Sequence, residues 1–461
     1  MAATSSITLP VVGDQGELRR FRNDLYDCFT RWPDALFELV DAVSCPVVVA
    51  SLAHLSLAAG AMRGHGSAYA ALADGGIDTE QLRDVLAAAR PTSWRPDFAI
   101  DASTWARCDA ECSPGRGFYY HPSRHSAGKP IVAGWYYSWL VGLSPDADSW
   151  TAPLDAARLA VGDNTNQVAI AQIQALLPRL PDTGQQPLFA FDGGYEPVQL
   201  TIGVTGTPAQ IVVRIKSDRK FFGRPEQAHS RKGGRPARHG TRFSCADPDT
   251  WHHPDQELTH DHDTYGRVHV QAWHRLHPAQ RTHRDPDGAL RIIEGTIVRV
   301  QVTRLPGRRG REPKTLWLWW NGPDPATCDL DRIWQAYIRR FDIEHTLRFA
   351  KQALGWTTPR PRTPAQADRW TQLVLAALTQ LRLARPLVGD HRLPWQPPLP
   401  PQKMTPGRVR QGFGQLLPRL GTPATWPKPC RAGPGRPKGR TSTPATRHPV
   451  LKKTTVKTLN C

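Results

Sequence analysis

The sequence predicts an α/β fold: a core of sheet and helix, a helical domain before it, a β-rich insertion within it and a basic tail behind it. Three observations predict this. Pro96-Asp-Phe-Ala-Ile-Asp101 and Gln186-Pro-Leu-Phe-Ala-Phe-Asp192 each read as a short buried strand closing on an aspartate and running into small residues. Two such strands in one sheet bring both acids to the same edge. The run Ala326 to Leu354 holds no Pro or Gly, with Asp329 placed to cap its start and Gly355 to end it, so it reads as one long helix.

The 461 residues are enough for two or three domains and a sizeable core. Lys and Arg number 59 against 41 Asp and Glu, a formal charge of +18 that calls for a polyanionic partner, nucleic acid or an anionic membrane surface. The membrane is the weaker choice, because no uninterrupted apolar run reaches the ~18 residues of a span. The nearest, Val43 to Met62, holds Pro46, His54 and three serines. No basic stretch followed by an apolar core opens the chain, so no secretory signal is expected. The eight cysteines are scattered without a CxxC, and Cys108 and Cys112 form the one close pair. Idle thiols of a reducing cytoplasm are expected rather than a zinc site.

Residues 1–90 read as a helical domain. Leu18, Phe21, Leu25, Phe29, Leu36 and Leu39 recur at helical intervals from Gly16 to Val40, and a second pattern runs from Ser67 to Ala89. Arg19, Arg20, Arg22 and Arg31 fall between the apolar positions. A bundle with Arg on its outer face suits DNA ends, as it suits any globular helical domain. Residues 91–217 hold the first part of the core. After the Asp101 strand, aromatic and β-branched residues from Gly117 to Leu143 predict two further strands, and Ala152 to Arg179 reads largely as helix. The Asp192 strand and another at Gln210–Lys216 follow.

Residues 218–325 read as a basic, β-rich insertion. Arg214 to Arg242 carries ten Lys or Arg against Asp218 and Glu226, either a flexible grip on a DNA backbone or a solvated loop. The His-rich stretch from Asp247 to Asp287 lacks ligand spacing. Gly295 to Leu305 and Lys314 to Trp320 alternate as strands; Trp317, Trp319 and Trp320 are either core or a platform for an unpaired base. Residues 326–385 complete the core with the long helix and a second from Thr363 to Arg385. Residues 386–461 form a Pro-rich tail with thirteen Lys or Arg and no acid from residue 401 onward. It is expected to be disordered and drawn to phosphates. Within it, Gly435-Arg436-Pro-Lys438-Gly-Arg440 resembles the AT-hook core, an Arg-Pro segment that enters a narrow minor groove.

At about 100° per residue, Tyr337, Arg340, Glu344 and Lys351 fall within roughly 60° of one another on the long helix. A carboxylate for a divalent cation, flanked by cations for phosphates, is what cutting a phosphodiester requires, although a solvated face of ion pairs uses the same residues. The spacing Tyr, two residues, Arg, three residues, Glu, six residues, Lys resembles the YREK signature of bacterial insertion-sequence DDE transposases. The order β–β–β–α–β–α–β, insertion, helix resembles their RNase H-like catalytic core, and Asp192-Gly-Gly-Tyr195 looks like their second Asp motif.

The resemblance covers residues 95–355 and implies a catalytic triad of Asp101, Asp192 and Glu344 holding two Mg²⁺ ions, with Mn²⁺ able to substitute. It further implies that Arg340 and Lys351 hold phosphates and that Tyr337 hydrogen-bonds another. The implied partner is double-stranded DNA, transposon ends and target, bound by a homodimer that pairs the two ends at the bacterial nucleoid in the cytoplasm. Two alternatives stand beside an active transposase: a catalytically inactive, transposase-derived DNA-binding protein, and an RNase H-like nuclease that cleaves without joining.

Overall fold

The computed structural model describes residues 15–121, 128–146, 148–225, 239–279, 291–306, 312–322, 325–428, 437–439, 441 and 443–452. It opens with α1 (Gly16–Asp27), α2 (Pro33–Ser44), α3 (Leu52–Leu55), α4 (His65–Asp74) and α5 (Thr79–Ala88). The periodic run from Gly16 to Val40 is therefore two helices. Pro33 starts α2 and Trp32 before it sits at φ 58°, where a helix cannot continue. Arg22 does not face solvent. It is buried, pairs with Asp41, and donates to Gln380 Oε1 at 2.8 Å and to the Gly421 carbonyl at 3.0 Å. That arginine locks the bundle together and is unavailable to DNA.

The core strands are β1 (Asp97–Ala106), β2 (Gly117–Tyr120), β3 (Ile131–Leu143) and β4 (Thr151–Leu159), then α6 (Thr165–Leu176), β5 (Leu188–Phe191), α7 (Pro197–Gly203) and β6 (Gln210–Ile215). They lie in the order β4-β3-β1-β5-β6; β1, β5 and β6 run parallel, while β3 is antiparallel to β1 and β4. Residues 152–159, expected as helix, form most of β4. Their Ala-rich composition favours helix, but pairing with β3 along Tyr136–Leu143 overrides propensity. The true helix begins after Gly162 at φ 104°, with Asn164 accepting from the Asn166 N–H as its cap. Strand β1 also runs five residues past Asp101 rather than stopping there.

The insertion contributes β7 (Lys220–Phe222), β8 (Arg242–Ser244), β9 (Gln256–His262), β10 (Gly266–Pro278), β11 (Gly295–Val302) and β12 (Leu316–Trp320). It does not stand apart. Strand β12 pairs antiparallel with β6, and β11 and β10 follow, so core and insertion share one large mixed sheet of twelve strands among the described residues. Side chains of β12 alternate into cores on both faces. Trp317 and Trp319 pack with Phe221, Phe243 and Trp273, while Leu318 and Trp320 pack against Trp334. Trp319 and Trp320 have no exposed surface, and the Trp319 indole donates to Thr201 Oγ1 at 3.1 Å. A base has no access to either ring, which corrects the stacking expectation.

The long helix expected from Ala326 to Leu354 is two: α8 (Leu330–Arg339), capped by Asp329 as expected, and α9 (Asp342–Gln352). Ile333, Trp334 and Tyr337 of α8 pack over β5, β6 and β12; Ile343, Leu347 and Ala350 of α9 join the core over β1 and β3. The bend at Arg340–Phe341 lets each apolar stripe dock on its own part of one sheet face. Gly355, at φ 65°, ends the segment against Val49. Next comes α10 (Pro364–Ala384), opened by a capping box of Thr363 and Gln366 and buried almost all round beneath α1, α2 and α4.

The tail is largely not a free strand. Helices α11 (Pro406–Phe413) and α12 (Leu417–Leu420) place Val409, Phe413 and Leu420 in the same core as α10. Further on, the His448 and Leu451 N–H groups donate to the Glu111 and Arg116 carbonyls, each at 2.8 Å. Over residues 404–424 the expectation of disorder fails, because an apolar stripe runs through the basic composition. Among the described residues no helix is long and apolar enough to cross a membrane.

Candidate active site

The β1–β5 register decides where the acids stand. Asp97 pairs with Leu188, Phe98 with Phe189 and Ala99 with Ala190. Two residues further along each parallel strand, Asp101 and Asp192 emerge side by side at the carboxyl edge of the pair. Asp101 Oδ1 accepts from the Ala102 N–H at 2.7 Å, and Asp192 Oδ1 accepts from the Gly194 N–H at 2.9 Å. A side chain at Gly194 would put its Cβ 3.1 Å from that same oxygen, so glycine keeps the turn tight against the carboxylate.

Helix α9 delivers the third acid to the face of the sheet that Asp101 occupies. Arg340 Nη1 lies 3.3 Å from Asp101 Oδ2, and its Nη2 lies 3.3 Å from Glu344 Oε1, one helical turn on. One guanidinium thus links two acids that are 243 positions apart in the sequence. Lys351, two turns beyond Glu344, donates to Ser103 Oγ at 2.7 Å, and Ser103 follows Asp101 by two residues on the same side of β1. Tyr337 is 5% exposed, and its ring lies 5.8 Å from the Arg340 guanidinium carbon. It packs against Arg340 from within the core, and both side chains are buried.

The electrostatics follow from burial and from like charges placed together. Burial, then the neighbouring Asp192 and Glu344, push the Asp101 carboxyl up to about 6 against the pull of Arg340 and the Ala102 N–H. Burial works against the charge on Arg340, but Tyr337, Asp101, Asp192 and Glu344 outweigh it and hold the group above its ordinary value. Burial lowers Lys351, with Asp101 opposing. Tyr136, on the opposite face of the sheet, is pushed up to about 12 by burial and by Asp101 and Asp192. Ser103 and Tyr136 join the site without having been expected there. Period-two alternation from Asp101 signals Ser103; only the β1–β3 register reveals Tyr136.

Three carboxylates of this kind are hard oxygen donors, the chemistry that Mg²⁺ takes. Among the described residues no three His, Cys, Asp or Glu side chains are gathered closely enough to hold a metal as they stand. Between Asp101 and Glu344 the position of a cation belongs to Arg340. The donor set fits a divalent ion in kind, and Arg340 stands between two of its members. Trp319 and Trp320 lie in the sheet core away from solvent, Lys438 is exposed in the tail, and Arg436 lies outside the described residues.

A family model described as DDE superfamily endonuclease matches residues 24–280. The match includes Asp101 and Asp192 and stops before Glu344. No curated protein matches the chain.

Proposed function

Because the chain belongs to the DDE superfamily of endonucleases, we propose that it is a DNA transposase that cleaves the ends of its element and joins them to target DNA. The observation that carries this reading is the meeting of Asp101 with Asp192 at one sheet edge, tied through Arg340 to Glu344. The order β4-β3-β1-β5-β6 with its parallel β1, β5 and β6 supports an RNase H-like core.

In this mechanism Asp101, Asp192 and Glu344 would hold Mg²⁺, or Mn²⁺ in its place, and a bound pair of ions would supply activation of the attacking water or 3′-hydroxyl and stabilisation of the leaving oxygen. The rest falls to the chain. Asp101 must be ionised to serve, and a bound cation would oppose the burial that pushes its carboxyl up in the metal-free protein. Lys351 stays aimed along β1 by Ser103 and meets a phosphate oxygen beside the scissile bond. Tyr337 fixes the root of Arg340. Described basic residues of the insertion and tail, among them Arg219, Arg242 and Lys452, add backbone contacts whose strength falls with salt. A homodimer pairs the two ends.

The test uses the full chain, Mg²⁺ and labelled duplexes taken from the DNA that flanks its reading frame. Cleavage at the duplex ends followed by joining to a plasmid supports the transposase. Cleavage with no joined product leaves a nuclease, and no cleavage at all overturns the reading.

A further inference from the structure

Arg340 is held differently from Arg22, another buried arginine beside an acid. Arg22 meets both oxygens of Asp41 with two nitrogens. Arg340 instead divides its two terminal nitrogens between Asp101 and Glu344, 3.3 Å from each, and its Nε has no hydrogen-bond partner. Charge-assisted N–H···O bonds settle at about 2.7–2.9 Å, and an arginine committed to one carboxylate grips it with two parallel bonds. Arg340 does neither, and the oxygens it shares are those assigned above to the divalent ion.

We propose that Arg340 is a displaceable counter-ion, which neutralises Asp101 and Glu344 in the metal-free protein, yields them to a divalent cation and takes a DNA phosphate in exchange. The inference rests on the reading of these acids as metal ligands. A guanidinium 4% exposed is strongly penalised when it loses its carboxylates and gains nothing. A phosphate arriving at the same edge supplies the missing anion, and two of its non-bridging oxygens can accept both prongs of the guanidinium at once, which two separate carboxylates do not. Metal and DNA therefore bind with positive coupling, each raising the affinity for the other by the same factor.

The experiment is a calorimetric titration of Ca²⁺, another oxygen-seeking ion, into the full chain with and without a short DNA duplex. With Arg340→Gln, Ca²⁺ is expected to bind the free protein about ten-fold more tightly, and DNA is expected to add much less to that affinity. Arg340→Lys keeps the buried charge but cannot span both acids, so it should fall between wild type and Arg340→Gln. Lys351→Gln removes a cation bonded to Ser103 rather than to a carboxylate, and should change Ca²⁺ binding far less. The proposal is overturned if Arg340→Gln binds Ca²⁺ no better than wild type, or if Lys351→Gln tightens it equally. If Asp101→Asn leaves Ca²⁺ binding untouched, the metal-ligand reading fails as well, a result separable from the first two.

Discussion

The Lys351 ammonium donates to the Ser103 hydroxyl at 2.7 Å, fastening the last turn of α9 to β1 two residues beyond Asp101. The bond fixes where a positive charge stands relative to the acids. Replacing Ser103 with Ala frees the lysine without removing its charge. DNA cleavage is then expected to fall about ten-fold, the effect of roughly 1.4 kcal/mol of lost positioning. Metal affinity should stay near wild type; a parallel loss of metal binding would show that Ser103 supports the acids instead.

Asp101 stabilises the metal-free fold least where it is ionised. Its pKa is raised from 3.8 to about 6, so the folded state holds a proton that the unfolded chain has released across that window. Stability contributed by this group is full below about pH 4 and is lost as pH rises towards 6. Asp101→Asn is therefore expected to raise the unfolding free energy of the metal-free protein by about 1–3 kcal/mol at pH 7.5, and by much less at pH 4. Denaturant melts at the two pH values check it. Equal effects at both would locate the strain elsewhere.

Burial makes Trp319 a matter of stability rather than of DNA contact. Trp319→Ala should destabilise the protein by about 3–5 kcal/mol. Trp319→Phe should fold, because the ring still packs against Phe221, and should bind end DNA with unchanged affinity. A selective drop in DNA affinity with the Phe variant would reopen the stacking role.

Truncation tests which part of the tail the core depends on. Removal of residues after 400 takes the fully buried Val409 and Phe413 out of the core they share with α10, and is expected to give an unstable, aggregating product. Removal of residues after 452 should leave the melting temperature within a few degrees of the full chain and weaken DNA binding in a salt-dependent way. If the first truncation melted like the full chain, α11 would not belong to the core.

Some of this was legible from the residues alone. Asp101 and Asp192 could be paired because each closes a short apolar stretch that reads as a strand, and neighbouring parallel strands carry matching positions to one place. The turn from Arg340 to Glu344 could be read because four residues span one helical turn. What could not be read depends on partners distant in sequence. The stretch Ala152–Leu159 becomes a strand only beside β3, Arg22 is buried only once Asp41 and Gln380 close on it, and Trp320 faces Trp334 because β12 has cover on both sides. The bend at Arg340 likewise follows from two docking surfaces, and no Pro or Gly marks it.

The central claim is that three carboxylates from separate parts of the chain act on DNA as one site. The direct measurement is Mg²⁺-dependent cleavage of end DNA by Asp101→Asn, Asp192→Asn and Glu344→Gln, with DNA affinity measured on the same preparations. Loss of a ligand removes several kcal/mol of transition-state stabilisation, so each variant should cut on the order of a thousand-fold more slowly while binding DNA at least as well as wild type. Undiminished cutting by any one of the three, with DNA binding intact, would contradict the account.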